Sequence, residues 1–407
     1  MFSHTRSWSR RMRKYWPLLP VAATLLAGAV AAVPAQAAAS QHPYRLVNPG
    51  TFGGPQSYLD LPAVPVTSNG ALLGSAETAT HDADYPKCNP FMVGFPDRYL
   101  THAFAWSGGR LHDLGALPGN NSSAVFEVNG SGVGVGMSET AITDPHTGWP
   151  ADHAVMFKGS KVTDLGTLPG GYESQAIDIN DHGQVSGFGS NGIRDKYSFF
   201  NVLGGPGPCG PSGWGTQARS FVWRNGVMRD IGTLGGDFGF AGWVSERGFV
   251  TGGAQAADQS FHGFLWRNGK MHDLPPVGGA PWAFGSSVND HGQVVGNTTD
   301  AKGNERFAML WSRGHGYNLN TLIAPSKLHL VTAEYINDRG EIVGYSVLPN
   351  GNRRVYLLIR NPSVPLPPTA ARSARDLPAA RLPHLGHLCG TTPLPGPCWA
   401  ARSLVIR

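Results

Sequence analysis

Charged residues are scarce in this sequence, at 14% of 407 residues, whereas hydrophobic residues reach 41%. A chain with this composition is not expected to be disordered along its whole length. Its 55 glycines form neither a Gly-x-Ser-x-Gly elbow nor a phosphate-cradling loop, and no His-Glu-x-x-His segment is present. The common signatures of serine hydrolases, nucleotide-binding proteins and zinc metalloproteases are therefore missing.

Cysteine is also rare, with four residues in the chain. No two cysteines have the short spacing of a zinc knuckle, so neither a metal nor another cofactor is predicted. In an exported protein four cysteines favour disulfides. Pairing of Cys88 with Cys209 and of Cys389 with Cys398 is one of three possible arrangements.

Acidic and basic residues nearly cancel once the two ends of the chain are set aside. The net charge of +5 equals the five basic side chains of residues 1–37, which include no acidic residue, so the remainder is neutral. Residues 363–407 carry five arginines and one aspartate, which leaves residues 38–362 at −4. A body of that charge is not predicted to bind nucleic acid.

The first 37 residues have the pattern of an export signal. A basic start precedes an apolar run over residues 18–33, and Ala35-Gln36-Ala37 supplies the small residues of a cleavage site. Arg10-Arg11 also fits a twin-arginine signal, and an uncleaved membrane anchor is the alternative. We expect an extracellular or periplasmic protein that meets a membrane only if this signal is retained.

One five-residue pattern with alternating large apolar side chains recurs through the chain, and this alternation is typical of a strand. Copies begin at His102, His153, Arg219, His262 and Phe307, and a more divergent one begins at Arg354. After a tight turn such as Asn225-Gly226, a second motif of the form Asp-Leu-Gly-Thr-Leu follows, and we interpret it as an adjacent antiparallel strand. The copies of this second motif begin at Asp113, Asp164, Asp230 and Asp273.

A second hairpin completes each repeat, and its turn has the form Asn-Asp-x-Gly. Asn and Asp open such turns through side-chain hydrogen bonds, and Gly takes the left-handed position. The clearest copies lie at Asn180–Gly183, Asn289–Gly292 and Asn337–Gly340. Each repeat is thus predicted to contain four strands, and six copies fit within residues 38–362.

The two ends of the repeat array are incomplete in complementary ways. Residues 47–52 are a degenerate fourth strand with no third strand before it, and residues 355–359 are a third strand with no fourth strand after it. Pairing between them would close an all-β, six-bladed propeller whose last blade uses the N-terminal strand. An open β-solenoid of the same repeats is the alternative.

The repeat resembles that of the extracellular HAF-repeat proteins. The likeness is carried by His262-Gly263-Phe264-Leu265-Trp266, Asp230-Ile231-Gly232-Thr233-Leu234 and Asn180-Asp181-His182-Gly183-Gln184-Val185, and it covers residues 46–360. It implies a secreted or surface-exposed propeller-like protein and no particular reaction. Residues 363–407 follow no repeat and are predicted to be a mostly disordered tail.

Successive turns of a four-stranded blade alternate between its two ends, so the long inserts collect at the end opposite the Asn-Asp-x-Gly turns. Long loops on a rigid scaffold often carry binding sites. The candidate ligand-binding residues there are Tyr85, Trp149, Tyr172, Trp214, Trp282, Asp82 and Asp84. The alternatives are that the aromatic residues only pack their own loops, and that Asp82 and Asp84 form half of a calcium loop.

The recurring His102, His153 and His262 are predicted to make structural hydrogen bonds, and the recurring aspartates to bond backbone groups. No catalytic residue or metal ligand is predicted. We expect a monomeric binding scaffold for a glycan, a cell-surface component or a protein. A secreted polysaccharide hydrolase or lyase is the alternative, and it would require two converging carboxylates, or a carboxylate and a histidine, on the looped face.

Overall fold

The protein is described by a computed structural model that covers ten stretches of the chain. By contacts the chain divides into residues 1–40 and residues 41–407, and every described residue belongs to the second unit. The predicted export signal and Cys88, Cys209, Cys389 and Cys398 lie outside the described residues. The described stretches are 43–47, 72–81, 83, 99–107, 110–119, 121–195, 206–207, 210–211, 215–300 and 304–367.

The described chain is almost entirely β, with a single 3-10 turn at Leu319–Thr321 as its helical element. Its strands form meanders, in which each strand pairs antiparallel with the one before it in the chain. Strand β1 is separate, and the first meander has three described strands. These strands are β1 (Tyr44–Val47), β2 (Leu72–His81), β3 (Tyr99–Ser107) and β4 (Arg110–Gly115).

The second and third meanders each have four strands, as the repeat predicts. A two-residue hairpin lies in the long connection of the third meander. The second meander contains β5 (Ser123–Val128), β6 (Val133–Thr143), β7 (Pro150–Lys158) and β8 (Lys161–Asp164). The third contains β9 (Ser174–Ile179), β10 (Val185–Arg194), β13 (Thr216–Arg224) and β14 (Val227–Asp230), with β11 (Pro206–Gly207) and β12 (Gly210–Pro211) in the connection.

The fourth and fifth meanders also have four strands each, and one parallel bridge from Phe261 to Trp282 joins them. The fourth contains β15 (Gly235–Val244), β16 (Val250–Ala256), β17 (Phe261–Arg267) and β18 (Lys270–Leu274). The fifth contains β19 (Trp282–Val288), β20 (Val294–Thr299), β21 (Glu305–Ser312) and β22 (His315–Asn318).

The sixth meander recruits β1, the first strand of the described residues. Its own strands are β23 (His329–Leu330), β24 (Tyr335–Ile336), β25 (Ile342–Val347) and β26 (Arg353–Arg360). Strand β1 pairs antiparallel with β26, from Tyr44 opposite Arg360 to Val47 opposite Leu357. Strand β1 covers residues 44–47, whereas the predicted segment covered residues 47–52, so the two share only Val47.

A glycine in the second strand of each of five meanders makes room for a bulge in the first strand. The pairing of β5 with β6, for example, shifts register between Val125 and Glu127, opposite Gly136. A Cβ atom at these glycines would lie between 1.9 and 2.1 Å from a carbonyl oxygen of the chain segment before the second strand, so only glycine fits there. The glycines are Gly136, Gly187, Gly252, Gly296 and Gly344.

The recurring histidines and aspartates join the third and fourth strands of a meander. His153 Nδ1 lies 2.8 Å from Asp164 Oδ2, and Asp164 Oδ1 accepts the N–H of Gly166 at 2.7 Å. Burial would raise the pKa of Asp164, but the hydrogen bonds from His153 and Gly166 outweigh burial and lower it. The same pairs are His102 with Asp113, Arg219 with Asp230, and His262 with Asp273.

These bonds link the third strand to the fourth, and they also correct one strand assignment. The Asp-Leu-Gly-Thr-Leu motif does not form a full strand, because β8 ends at Asp164 and β14 at Asp230. The left-handed glycine that follows turns the chain toward the next meander. There the Gly166 carbonyl accepts the hydroxyl of Ser174 at 2.7 Å, which links one meander to the next.

The packed region continues beyond the predicted end of the repeats at residue 362. Leu366 packs against the hydrophobic cluster of the fifth and sixth meanders. Tyr317 donates its hydroxyl to the carbonyl of Pro367 at 3.0 Å. The start of the predicted tail, up to Pro367, therefore belongs to the folded body. Among the described residues no helix has the length and apolar character needed to span a membrane.

Candidate functional site

The candidate site lies at the end of the meanders where the first strand begins and the second strand connects to the third. We call this end the connection face, and the opposite end, with the Asn-Asp-x-Gly turns, the turn face. At the turn face the meanders are aligned by direct hydrogen bonds, such as that from Asn129 Nδ2 to the Asn180 carbonyl at 3.1 Å. The starts of the first strands and the longer connections between second and third strands therefore lie at the connection face.

The connection between β6 and β7 is a tight loop built on a buried aspartate. Asp144 Oδ1 accepts the N–H of His146 at 2.7 Å, and the Asp144 N–H donates to the Trp149 carbonyl at 2.8 Å. Trp149 is 9% exposed. It therefore packs beneath its own loop and presents no stacking surface.

His146 at the tip of this loop reaches Tyr172 in the next meander. The two rings lie edge to face, with centroids 6.0 Å apart and an interplanar angle of 69°. Tyr172 is half-buried, and its backbone N–H donates to Ser190 Oγ at 2.9 Å. Tyr172 is thus held in place with part of its surface accessible at the seam between the second and third meanders.

Three buried acidic residues lie at the same seam. Glu139 and Asp152 are opposite each other on β6 and β7. The N–H of Asp152 donates to Glu173 Oε2 at 2.7 Å, and the N–H of Ser122 donates to Glu139 Oε2 at 2.8 Å. Sequence reasoning missed these residues because they lie outside the recurring motifs on which it was based.

Trp282 lies in a different part of the connection face. It begins β19, is half-buried and packs against a cluster of phenylalanines that includes Phe261 and Phe284. Of the other predicted residues, Asp82, Asp84, Tyr85 and Trp214 lie outside the described residues. Across the described parts of the chain, no group of three or more His, Cys, Asp or Glu side chains is arranged to hold a metal ion.

Titratable groups from three meanders also interact near the turn face. Asp178 accepts the N–H groups of Ile179 and Val244 at 2.7 Å, and burial raises its pKa to about 7. Tyr335 is 49% exposed. Burial raises the pKa of its phenol, and the charges of Asp338, Glu127 and Asp178 raise it further.

A buried ion pair joins the fifth and sixth meanders. Arg353 Nη2 lies 3.1 Å from Glu305 Oε2, and the guanidinium stands 4.5 Å from the ring centroid of Tyr345. Burial raises the pKa of the nearby Glu334 to about 7, because the hydrogen bond from Thr332 and the charge of Arg353 only partly offset it. Glu334 is therefore a carboxyl group that titrates near neutral pH inside the fold.

Comparisons with known proteins give weak structural likenesses and no sequence relative. No family model matches the chain, and no curated protein matches it. A gluconolactonase from Xanthomonas campestris is 12% identical, over 64% of this chain and 79% of that one, with a TM-score of 0.32. TolB from Acinetobacter baumannii is 12% identical, over 65% of this chain and 50% of that one, with a TM-score of 0.33.

The Aleuria aurantia lectin, solved in complex with Fucα1-6GlcNAc, is 10% identical, over 63% of this chain and 84% of that one, with a TM-score of 0.29. Likenesses of this strength carry no argument about function. The class of the protein follows from its own strand pairings, which define an all-β protein built of antiparallel meanders.

Proposed function

We propose that this chain is an exported HAF-type repeat protein, closed into a six-bladed β-propeller, that binds a glycan on its connection face. Export follows from the predicted signal at residues 1–37, which would place the protein outside the cytoplasm. The repeat motifs support the HAF assignment. The rigid meanders would serve as the scaffold and the connection face as the contact surface.

Two observations support a closed ring. Strand β1 supplies the outer strand of the sixth meander, which an open array would leave as an exposed edge. In addition, the charges of Glu127 and Asp178 act on Tyr335, although these residues belong to the second, third and sixth meanders. An open stack would hold its second and sixth members well apart, whereas a ring lets them face a common axis.

The pairing of Tyr172 with His146 is the observation that carries the binding proposal. A tyrosine ring offers an apolar face on which a sugar ring can stack, and its hydroxyl can make a hydrogen bond. Glu173 follows Tyr172 directly, and Glu139 and Asp152 lie beside Glu173. These three carboxyl groups are buried, so the accessible part of Tyr172 supplies the proposed contact surface.

A glycan array probed with residues 38–407 tests this proposal. We expect Tyr172→Ala to abolish the binding seen with the unchanged chain, because the stacking surface is lost. Tyr335→Ala is the matched control, since Tyr335 is an accessible tyrosine at the opposite end of the meanders, and it should bind normally. Absence of any glycan signal, or equal loss in both variants, would contradict the proposed site.

An assay of the same protein for products released from a bound polysaccharide distinguishes binding from cleavage. A hydrolase or lyase would release reducing ends or unsaturated products from a bound glycan. Binding without product release supports the scaffold, whereas product release that is lost in Glu173→Gln would favour the enzyme.

A further inference from the structure

The His262–Asp273 pair of the fourth meander differs from its counterparts because a serine hydroxyl completes it. His262 Nδ1 lies 2.8 Å from Asp273 Oδ1, as in the other repeats. On its other side, His262 Nε2 lies 3.1 Å from Ser260 Oγ. Serine, histidine and aspartate thus form a continuous hydrogen-bonded series.

The position of Ser260 explains why this series forms only here among the described pairs. Residues two apart on a strand point to the same side, so the residue two before the histidine faces the imidazole. That residue is Ser260 before His262, whereas it is Leu100 before His102 and Ala151 before His153. Neither alternative has a hydroxyl group.

The turn that presents Ser260 holds it firmly. Ala256 donates its N–H to the Ser260 carbonyl at 2.9 Å, and Asp258 Oδ1 accepts the Ser260 N–H at 3.0 Å. The Ser260 hydroxyl also donates to Asp258 Oδ1, at 2.5 Å. These hydrogen bonds lower the pKa of Asp258 and keep it a carboxylate. The hydroxyl proton therefore has two acceptors, Asp258 and His262.

The same turn contains backbone strain next to the serine. Gln259 has φ of +70°, the left-handed region that favours glycine. In this turn the Ala256 N–H donates to the Ser260 carbonyl, and the Gln259 N–H donates to the Ala256 carbonyl. The turn from Leu348 to Asn352 has the same two hydrogen bonds, and it has Gly351 at the position of Gln259. Strained backbone of this kind concentrates at functional sites, and nucleophilic serines are often carried on strained turns.

We propose that Ser260 is a nucleophile, His262 its general base and Asp273 the group that orients His262, in transfer of an acyl group from an ester to water. Ser260 Oγ forms a bond to the carbonyl carbon while its proton passes to His262 Nε2. The carbon bond to the alcohol oxygen then breaks, and His262 returns the proton to that oxygen. Water, activated by the same imidazole, releases the acid and restores the serine.

The surroundings restrict the substrate to a neutral acyl group. Two carboxylates, Asp258 and Asp273, flank the series and disfavour a negatively charged acyl chain. Short neutral acyl esters, such as acetate esters, fit this environment. The site lies apart from Tyr172, so it does not depend on the proposed glycan binding.

Labelling of residues 38–407 with a fluorophosphonate, with the modified residue located by mass spectrometry, tests the proposal, and hydrolysis of p-nitrophenyl acetate gives a second readout. We expect the label on Ser260 and none in Ser260→Ala, which keeps the His262–Asp273 bond. Loss of the general base in His262→Asn should slow labelling about 100-fold. Asp273→Asn should also slow it.

His153→Asn is the matched control, because it breaks the equivalent pair of the second meander and leaves Ser260 untouched. It should label at the unchanged rate. If His262→Asn fails to fold, the labelling of Ser260→Ala and Asp273→Asn still tests whether Ser260 is the nucleophile and depends on this pair. A label on other serines, no label at all, or labelling of Ser260 that does not depend on His262 and Asp273 would overturn the proposal.

Discussion

Asp181 in the third meander accepts the backbone N–H of Gly130 in the second, at 2.5 Å, although the two residues are 51 positions apart. The contact repeats around the turn face. Glu246 accepts the N–H of Asp181, and Asp290 accepts the N–H of Arg247. Each turn is therefore held by an acidic side chain from the next, and the turn motif serves both local geometry and assembly of the repeats.

Replacement of Asn180 by alanine tests the hydrogen bonds between neighbouring turns. Asn180 Nδ2 donates to the Ser245 carbonyl at 3.0 Å, and its Oδ1 accepts the N–H groups of His182 and Gln184. The variant leaves buried polar groups without partners, so we expect the free energy of unfolding to fall by about 3 kcal/mol, measured in urea. Asn350→Ala removes the hydrogen bond from the Asn352 N–H to Asn350 Oδ1, at 3.2 Å, which is local to its own turn, and should cost well under half as much. Equal losses would show that Asn180 acts only within its turn.

The bulge glycines predict a sharp contrast between two buried positions of the fourth meander. A Cβ at Gly252 would lie 2.1 Å from the Phe240 carbonyl oxygen, whereas at Gly242 the nearest contact is an ordinary 3.7 Å. Gly252→Ala should therefore destabilise the protein by about 3 kcal/mol or more, and Gly242→Ala by less than about 1 kcal/mol. Thermal unfolding of the two variants gives the comparison, and similar melting temperatures would contradict the steric argument.

The chain ends offer a direct test of ring closure. Removal of residues 38–47 deletes β1 and the Pro43 carbonyl, which accepts the N–H of Asn361 at 2.8 Å. At about 1 kcal/mol for each net hydrogen bond, we expect a loss of roughly 3 kcal/mol and self-association through the exposed edge of β26. Removal of residues 38–42 alone keeps β1 and is the control. If both truncated chains unfold alike in urea and remain monomeric by light scattering, β1 does not close the structure.

Much of this fold could be predicted from the sequence, because alternating apolar residues and Asn-Asp-x-Gly turns repeat in a fixed order. The same repetition shows where prediction ends. The Asp-Leu-Gly-Thr-Leu motif has the alternation of a strand, but the hydrogen bond from the Gly166 N–H to Asp164 Oδ1 turns the chain there. The candidate site depends on features that do not repeat, such as Glu173 beside Asp152 and Ser260 before His262. Folding is needed to bring Glu173 to Asp152 and Asp273 to His262.

The buried Glu334 makes stability depend on pH. Its pKa is raised from 4.5 to about 7, so the folded protein binds a proton more tightly than the unfolded chain does. Its favourable contribution is complete below pH 4.5 and is lost as the pH rises through about 7. The shift corresponds to ~3 kcal/mol. Glu334→Gln should therefore unfold at higher urea concentration than the unchanged protein at pH 8.5, and this advantage should vanish at pH 5.

Glu341→Gln in the same meander is a control of opposite sign. The hydrogen bonds from Arg339 and Asn337 lower the pKa of Glu341, so its contribution is present above pH 4.5 and is lost on acidification. That variant should be less stable than the unchanged protein at pH 8.5, with a difference that shrinks toward acidic pH. A Glu334→Gln variant that is destabilised at pH 8.5 would contradict the raised pKa, because it would show that the Arg353 guanidinium stabilises the Glu334 carboxylate more than burial disfavours it.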